Sequence, residues 1–150
     1  MKLISNYIDE NSILFPLDVS SKKEAIDSLV ELIDQEEAKE ELKNNIWERE
    51  MKMTTGIGWG VAIPHCYYEK CDDLIIKIGI CPQGIEYDSI DNKKVKLIFL
   101  DIAPQNKTKL HQEYLQKLSI LLTKKENRDL LLNCVDKKDF IESLKIIESF

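Results

Sequence analysis

The sequence predicts a mixed α/β sandwich, a small sheet of four to five strands with helices on both faces. Three observations carry this expectation. The runs Leu74 to Cys81 and Val95 to Ile102 are nearly continuous and apolar, rich in β-branched residues, and suit strands covered on both faces. Stripes at helical spacing stand before and after them. The length of 150 residues, 43% of them apolar, supplies one core and leaves no room for two, so residues 1–150 read as a single domain.

The elements follow in chain order. Ile13-Leu14-Phe15 reads as a short strand. Ser21-Lys22-Lys23-Glu24 matches a capping box, Ser21 bonding forward and Glu24 reaching back. Behind it Ile26, Leu29, Val30 and Ile33 form a helix stripe, and a second helix is expected from about Glu36 to Glu50, with Ala38, Leu42 and Ile46 inward. Val61-Ala62-Ile63 is extended, because Pro64 disfavours helical geometry at the residue before it. Gly84 to Tyr87 is a candidate short strand between the two long ones. The last third is helical: one stripe runs from Leu110 to Leu122, a short helix carries Leu130 to Leu132, and a third carries Phe140, Ile141, Leu144 and Ile147.

Composition excludes several functions. The formal net charge is −6, and Lys and Arg are scattered among more numerous acids, which argues against a nucleic-acid binder. No run approaches the roughly 18 to 20 apolar residues that span a bilayer. The opening MKLISNYIDENSILF has no sustained apolar core of a signal peptide, so a cytoplasmic location is expected. The four cysteines, Cys66, Cys71, Cys81 and Cys134, are then expected to be reduced.

The stretch from Arg49 to His65 concentrates the chemistry. Three of the five glycines fall at 56, 58 and 60. Their backbone amides suit a phosphate cradle, and equally a tight loop. The pattern is neither the phosphate-binding P-loop nor the dinucleotide fingerprint. Pro64, with no N–H and a fixed φ, is expected to end a strand and aim His65 outward at its carboxyl end.

Arg49-Glu50, Thr54-Thr55-Gly56 and Gly58-x-Gly60-x-Ala62-x-Pro64-His65 together resemble the signature of the fructose/mannitol-type and nitrogen-regulatory IIA components of the sugar phosphotransferase system. Val95 to Leu100, Ala103-Pro104, and His111 followed by Leu115 and Leu118 extend the likeness over most of the chain. The resemblance implies that His65 accepts a phosphoryl group, that His111 assists, that Arg49 stabilises phosphate charge, and that Thr55 supports the phosphate site. It implies the phosphocarrier HPr as donor, a IIB component as acceptor and a membrane IIC component as indirect partner, with no metal and no cofactor. Gln112, Trp59 and Cys66-Tyr67-Tyr68 depart from the usual pattern, which leaves sugar class and partner detail open. A nitrogen-regulatory role, controlling partners by phosphorylation state, is the alternative to sugar uptake.

The imidazole suits this work because its unperturbed pKa, about 6.5, keeps much of it neutral and nucleophilic near pH 7. Two rival readings come from the cysteines. His65, Cys66, Cys71 and Cys81 offer zinc-ligand types, but without the paired spacing of a structural site. A cysteine hydrolase needs Cys66 or Cys71 beside His111 in space.

Overall fold

The computed structural model describes residues 1–150. After two short 3-10 turns the chain forms β1 (Ile13–Leu14), α1 (Lys22–Val30) and α2 (Lys39–Lys52). The strands β2 (Gly56–Gly58), β3 (Val61–Ala62), β4 (His65–Tyr68), β5 (Ile75–Ile85) and β6 (Val95–Pro104) follow. The helices α3 (Thr108–Leu122), α4 (Lys125–Leu132) and α5 (Lys137–Glu148) complete the chain. The sheet order is β1-β5-β6-β3-β2, with β4 also paired to β6. β5 and β6 are antiparallel, whereas β1 runs parallel to β5, and β3 and β4 run parallel to β6.

The mixed sandwich is as expected, but the sheet has six strands rather than four or five. Two local causes account for the difference. Gly56–Gly58 pairs back onto β3 as a strand instead of remaining loop, turning at Trp59 and Gly60, whose φ values are 57° and 77°. Pro64 interrupts the ladder without ending it. β3 lies along β6 at Val61–Leu97 and Ala62–Ile98, and β4 resumes at His65–Asp101. His65 therefore opens a strand rather than closing one. Gly84 to Tyr87 is no separate strand, because β5 continues through a register shift to Ile85.

The helices also shift at their edges. Glu36–Ala38 is a 3-10 turn and α2 begins at Lys39. Leu130 to Leu132 close α4. Half of the capping box forms: Ser21 Oγ accepts from the Glu24 amide, while the Glu24 carboxylate takes the Ser20 hydroxyl at 3.0 Å.

The sheet divides two cores. Ile98, Leu100 and Ile102 of β6 pack with Ile26, Leu29, Leu42 and Ile46 of α1 and α2. Leu97, Phe99 and Ala103 pack on the opposite side with Tyr114, Leu118, Phe140 and Leu144 of α3 and α5. Each such side chain contributes roughly 1.5–3 kcal/mol by burial, so both layers hold the sheet firmly. One inward position of β6 on the α3 side is not apolar, and that position is Asp101.

Candidate functional site

Strand alternation builds the site. His65 and Tyr67 share one face of β4, and His65 stands opposite Asp101 on β6. His111, in the first turns of α3, packs onto this face. Its ring centroid lies 5.0 Å from that of His65 and 5.0 Å from that of Tyr67. The two histidines, 46 positions apart in sequence, are thus brought edge to face.

The nitrogens of His65 are differentiated by the backbone. Nδ1 lies 2.8 Å from the Ile63 carbonyl, an acceptor only, so Nδ1 carries the proton and Nε2 keeps its lone pair. His65 is half-buried, whereas His111 is almost fully buried. His111 Nδ1 lies 2.9 Å from the Tyr67 hydroxyl, and Nε2 lies 2.7 Å from Asp101 Oδ2. That second contact is close but not aligned as a straight N–H···O bond, which leaves both Asp101 oxygens without a well-directed donor. It is an electrostatic approach of the kind two buried groups make when their positions are fixed by strand and helix.

Asp101 is fully buried. Loss of hydration raises its carboxyl pKa, and this outweighs the opposite pull of His111 and His65. The same carboxylate adds to burial in raising the Tyr67 and Tyr114 hydroxyls. Sequence reasoning missed Asp101, Tyr67 and Glu50. The signal for Asp101 was present as a single acid within the apolar run VKLIFLDI. Tyr67 had the signal of strand alternation with His65.

A second buried carboxylate, Glu50, organises the other end of the segment. It accepts from the Thr55 amide at 2.6 Å, from the Thr55 hydroxyl, and from the Tyr87 hydroxyl at 3.1 Å, and it pairs with Lys22 Nζ at 2.9 Å. The Thr55 carbonyl then accepts from the Ile63 amide at 3.0 Å, and the Ile63 carbonyl accepts from His65 Nδ1. A chain of hydrogen bonds therefore joins Glu50 to the His65 ring. Thr55 sits within that chain, and its hydroxyl donates to Glu50. Arg49 donates from Nη1 to the Met53 carbonyl at 3.0 Å and makes no hydrogen bond to His65. Gly56 is required by contact, since an added Cβ would lie 2.8 Å from Ser89 Cα.

The cysteines lie apart from the histidines. Cys66 follows His65 on the strand and so points into the α1–α2 core, as does Cys71, while His111 stands across the sheet. Burial pushes the Cys66 thiol up to about 12 and the Cys81 thiol up to about 11. Neither a His65–Cys66–Cys71 metal site nor a Cys–His111 nucleophilic pair matches this arrangement. The molecule's four cavities are lined by residues other than His65, which stands on open surface.

An α/β sandwich that presents one half-exposed histidine, backed by a buried histidine and aspartate, is a scaffold for chemistry at an imidazole. The chain belongs to the family described as "Phosphoenolpyruvate-dependent sugar phosphotransferase system, EIIA 2", whose profile matches residues 6–146. It is 29% identical over 142 residues to the PTS system fructose-specific EIIABC component of Bacillus subtilis, covering 93% of this chain and 22% of that protein. The chain thus spans about a fifth of that relative's length. It is also 29% identical to the nitrogen regulatory protein of Pseudomonas aeruginosa over 114 residues, 74% of each chain. Among solved structures it overlays nitrogen regulatory protein IIA-Ntr from Neisseria meningitidis with a TM-score of 0.88 at 26% identity, covering 94% of this chain and 98% of that one. The Escherichia coli IIA mannitol structure shares the fold, with a TM-score of 0.76 at 19% identity over 91% of this chain and 98% of that one. No helix is long and apolar enough to cross a membrane.

Proposed function

We propose that the chain is a cytoplasmic phosphocarrier, a single IIA domain, that takes a phosphoryl group from phospho-HPr on His65 Nε2 and passes it to a IIB component serving a membrane IIC permease. The observation that carries this reading is the His65 tautomer, with Nδ1–H held by the Ile63 carbonyl and the lone pair on Nε2. As Nε2 attacks phosphorus, the donor's N–P bond breaks. The donor imidazole leaves with that electron pair, and no proton has to move. Positive charge that develops on the His65 ring is stabilised at Nδ1–H by the Ile63 carbonyl.

Transfer of this kind passes through a loose transition state, so positioning and charge stabilisation do most of the work. His111 serves as a supporting donor held by Asp101, and Arg49 turns its free guanidinium N–H groups to the phosphate oxygens when partners dock. Thr55 supports the site from beneath, through its place between Glu50 and Ile63. The open setting of His65 supports a protein partner over a small substrate, which would need an enclosing pocket.

Incubation with phosphoenolpyruvate, enzyme I and HPr should add one phosphoryl group to the intact mass. The adduct should be lost in acid and survive mild alkali, because protonation makes the histidine nitrogen a good leaving group. A His65→Ala chain that still gains the mass refutes the assignment.

The second reading is a nitrogen-regulatory IIA protein. It is favoured by the better overlay on IIA-Ntr than on the mannitol protein. Single-turnover transfer separates the two. Rapid drainage of the phosphoryl group into a fructose- or mannitol-type IIB component supports sugar uptake, and retention in the presence of every such component supports regulation.

A further inference from the structure

His65, Asp101 and His111 each offer a potential ligand atom, and these atoms lie within 4.8 Å of one another. We propose that the three residues form a binding site for a divalent transition-metal cation of the zinc class, which occupies His65 Nε2 and so competes with phosphoryl acceptance. The binding stands on the geometry alone, while its consequence for transfer rests on the phosphocarrier reading.

Four features of the cluster point to a metal. His111 turns Nε2 to Asp101, and Nε2 is the one ring nitrogen of His65 with no hydrogen bond. His65 holds Nδ1 on the Ile63 carbonyl, and His111 holds Nδ1 on the Tyr67 hydroxyl. Metal-bound histidines need this outer support, which fixes the tautomer and orients the ring. Asp101 is fully buried, and its Oδ1 has no hydrogen-bond partner. A fully buried carboxylate in that condition is poised to accept a cation. His65 is half-exposed, which gives an ion access from solvent and leaves a fourth position open to water.

The required adjustment is small. Ligand atoms bound at about 2.0–2.2 Å in a tetrahedral site stand roughly 3.4 Å apart. Asp101 Oδ2 and His111 Nε2, 2.7 Å apart, have to separate by about 0.7 Å, and the His65 ring has to close in by up to about 1.4 Å. On binding, His111 keeps its ring proton at Nδ1, donating to the Tyr67 hydroxyl, and presents the Nε2 lone pair to the ion, because the ligating nitrogen must be deprotonated. Two imidazoles and one carboxylate favour zinc, copper or nickel over magnesium, which prefers an all-oxygen octahedron. Magnesium present in a phosphoenolpyruvate-driven reaction therefore leaves the site free.

The test is a titration of the reduced full chain with zinc chloride, read by calorimetry and by histidine ring NMR shifts, with magnesium chloride in parallel. One zinc per chain is expected, with shifts on both histidines and no response to magnesium. His65→Gln should weaken binding at least tenfold, and Asp101→Asn should do the same. Cys66→Ser with Cys71→Ser should leave it unchanged. Should His111→Ala fail to fold, His65→Gln, at a half-exposed position, still decides. Absence of zinc binding to the wild-type chain overturns the proposal, as does binding that persists in His65→Gln or an equal response to magnesium. In the transfer assay, zinc should block phosphorylation of the wild-type chain and a chelator should restore it. If the titration succeeds but no phosphoryl group is ever accepted, the metal site stands and the phosphocarrier reading fails.

Discussion

Replacing Asp101 by Asn separates what this residue does for transfer from what it does for the fold. The carboxylate is fully buried and 2.7 Å from His111 Nε2. At an effective dielectric constant near 20, about 6 kcal/mol is the upper bound on the attraction at that distance, reached only by two full unit charges. Removing an ion from water inside a protein costs several kcal/mol in the opposite sense. The direction of the Asp101 pKa shift says which is larger, since burial wins over both imidazoles. Stability at neutral pH should therefore hold within about 1 kcal/mol of the wild type, or rise. Transfer should slow by about 10²–10³, the usual loss when a preorganised electrostatic group is removed from a site.

The pH dependence provides an independent check. Because burial holds the Asp101 carboxyl above its ordinary 3.8, the folded chain binds that proton more tightly than the unfolded chain. The resulting stabilisation is complete below the ordinary value and is lost as pH rises through the raised folded one. Denaturant unfolding at a series of pH values should show Asp101→Asn gaining on the wild type across that interval. Single-turnover transfer from phospho-HPr supplies the rate. A variant that loses about 3–5 kcal/mol at neutral pH, as when a buried pair is broken, refutes the reasoning. So does a stable variant that transfers at the wild-type rate.

Tyr67→Phe removes the hydroxyl 2.9 Å from His111 Nδ1 and should slow transfer several-fold while costing about 1 kcal/mol in stability, measured by the same two assays. His65→Ala should abolish phosphorylation, whereas His111→Ala should still be phosphorylated, about 10²–10³ more slowly, in single-turnover labelling. Gly56→Ala should destabilise the chain by roughly 1–3 kcal/mol in denaturant unfolding, since its Cβ would meet the Ser89 backbone at 2.8 Å. The Cys66 thiol, held up to about 12, should resist iodoacetamide in the native chain at pH 8, where only about one molecule in ten thousand is thiolate, and react once the chain is unfolded.

The layered fold was legible because its signals are local and strong. Leu74 to Cys81 and Val95 to Ile102 read as buried strands, and Ile26 to Ile33 and Leu110 to Leu122 as helix stripes. What escaped was set by pairing at a distance. Gly56–Gly58, with glycine at two of its three positions, has little strand propensity of its own and is a strand because β3 lies beside it. The break at Pro64 spans two residues, Ile63 and Pro64, too short for a periodicity to register. At the site, the two histidines were visible through their motif, but their support was not. Asp101 sat inside a run read as apolar, and its meaning depends on a register with His65 that only the sheet supplies. Glu50 stood in the motif without a task, because its partners Lys22 and Tyr87 come from elements 28 positions before it and 37 after it.

The two buried carboxylates explain each other once the segment between them is followed. Residues 55 to 65 carry a glycine-rich hairpin, the kind of sequence least able to hold a side chain still, because glycine loses more freedom on folding than any other residue. A phosphoryl acceptor needs the reverse, since a small misplacement of the attacking atom costs rate heavily. Glu50 fixes the entering end of the segment through the Thr55 amide and hydroxyl, and the Thr55 carbonyl fixes the Ile63 amide. The Ile63 carbonyl in turn fixes His65 Nδ1, and Asp101 with His111 bounds the ring on its other side. From Glu50 to His65 Nδ1, each polar group in this path spends a hydrogen bond on holding the next. His65 Nε2 is left without a hydrogen bond while the ring is held through Nδ1, and that hold is why the flexibility of the hairpin does not reach the atom where the chemistry is proposed to occur.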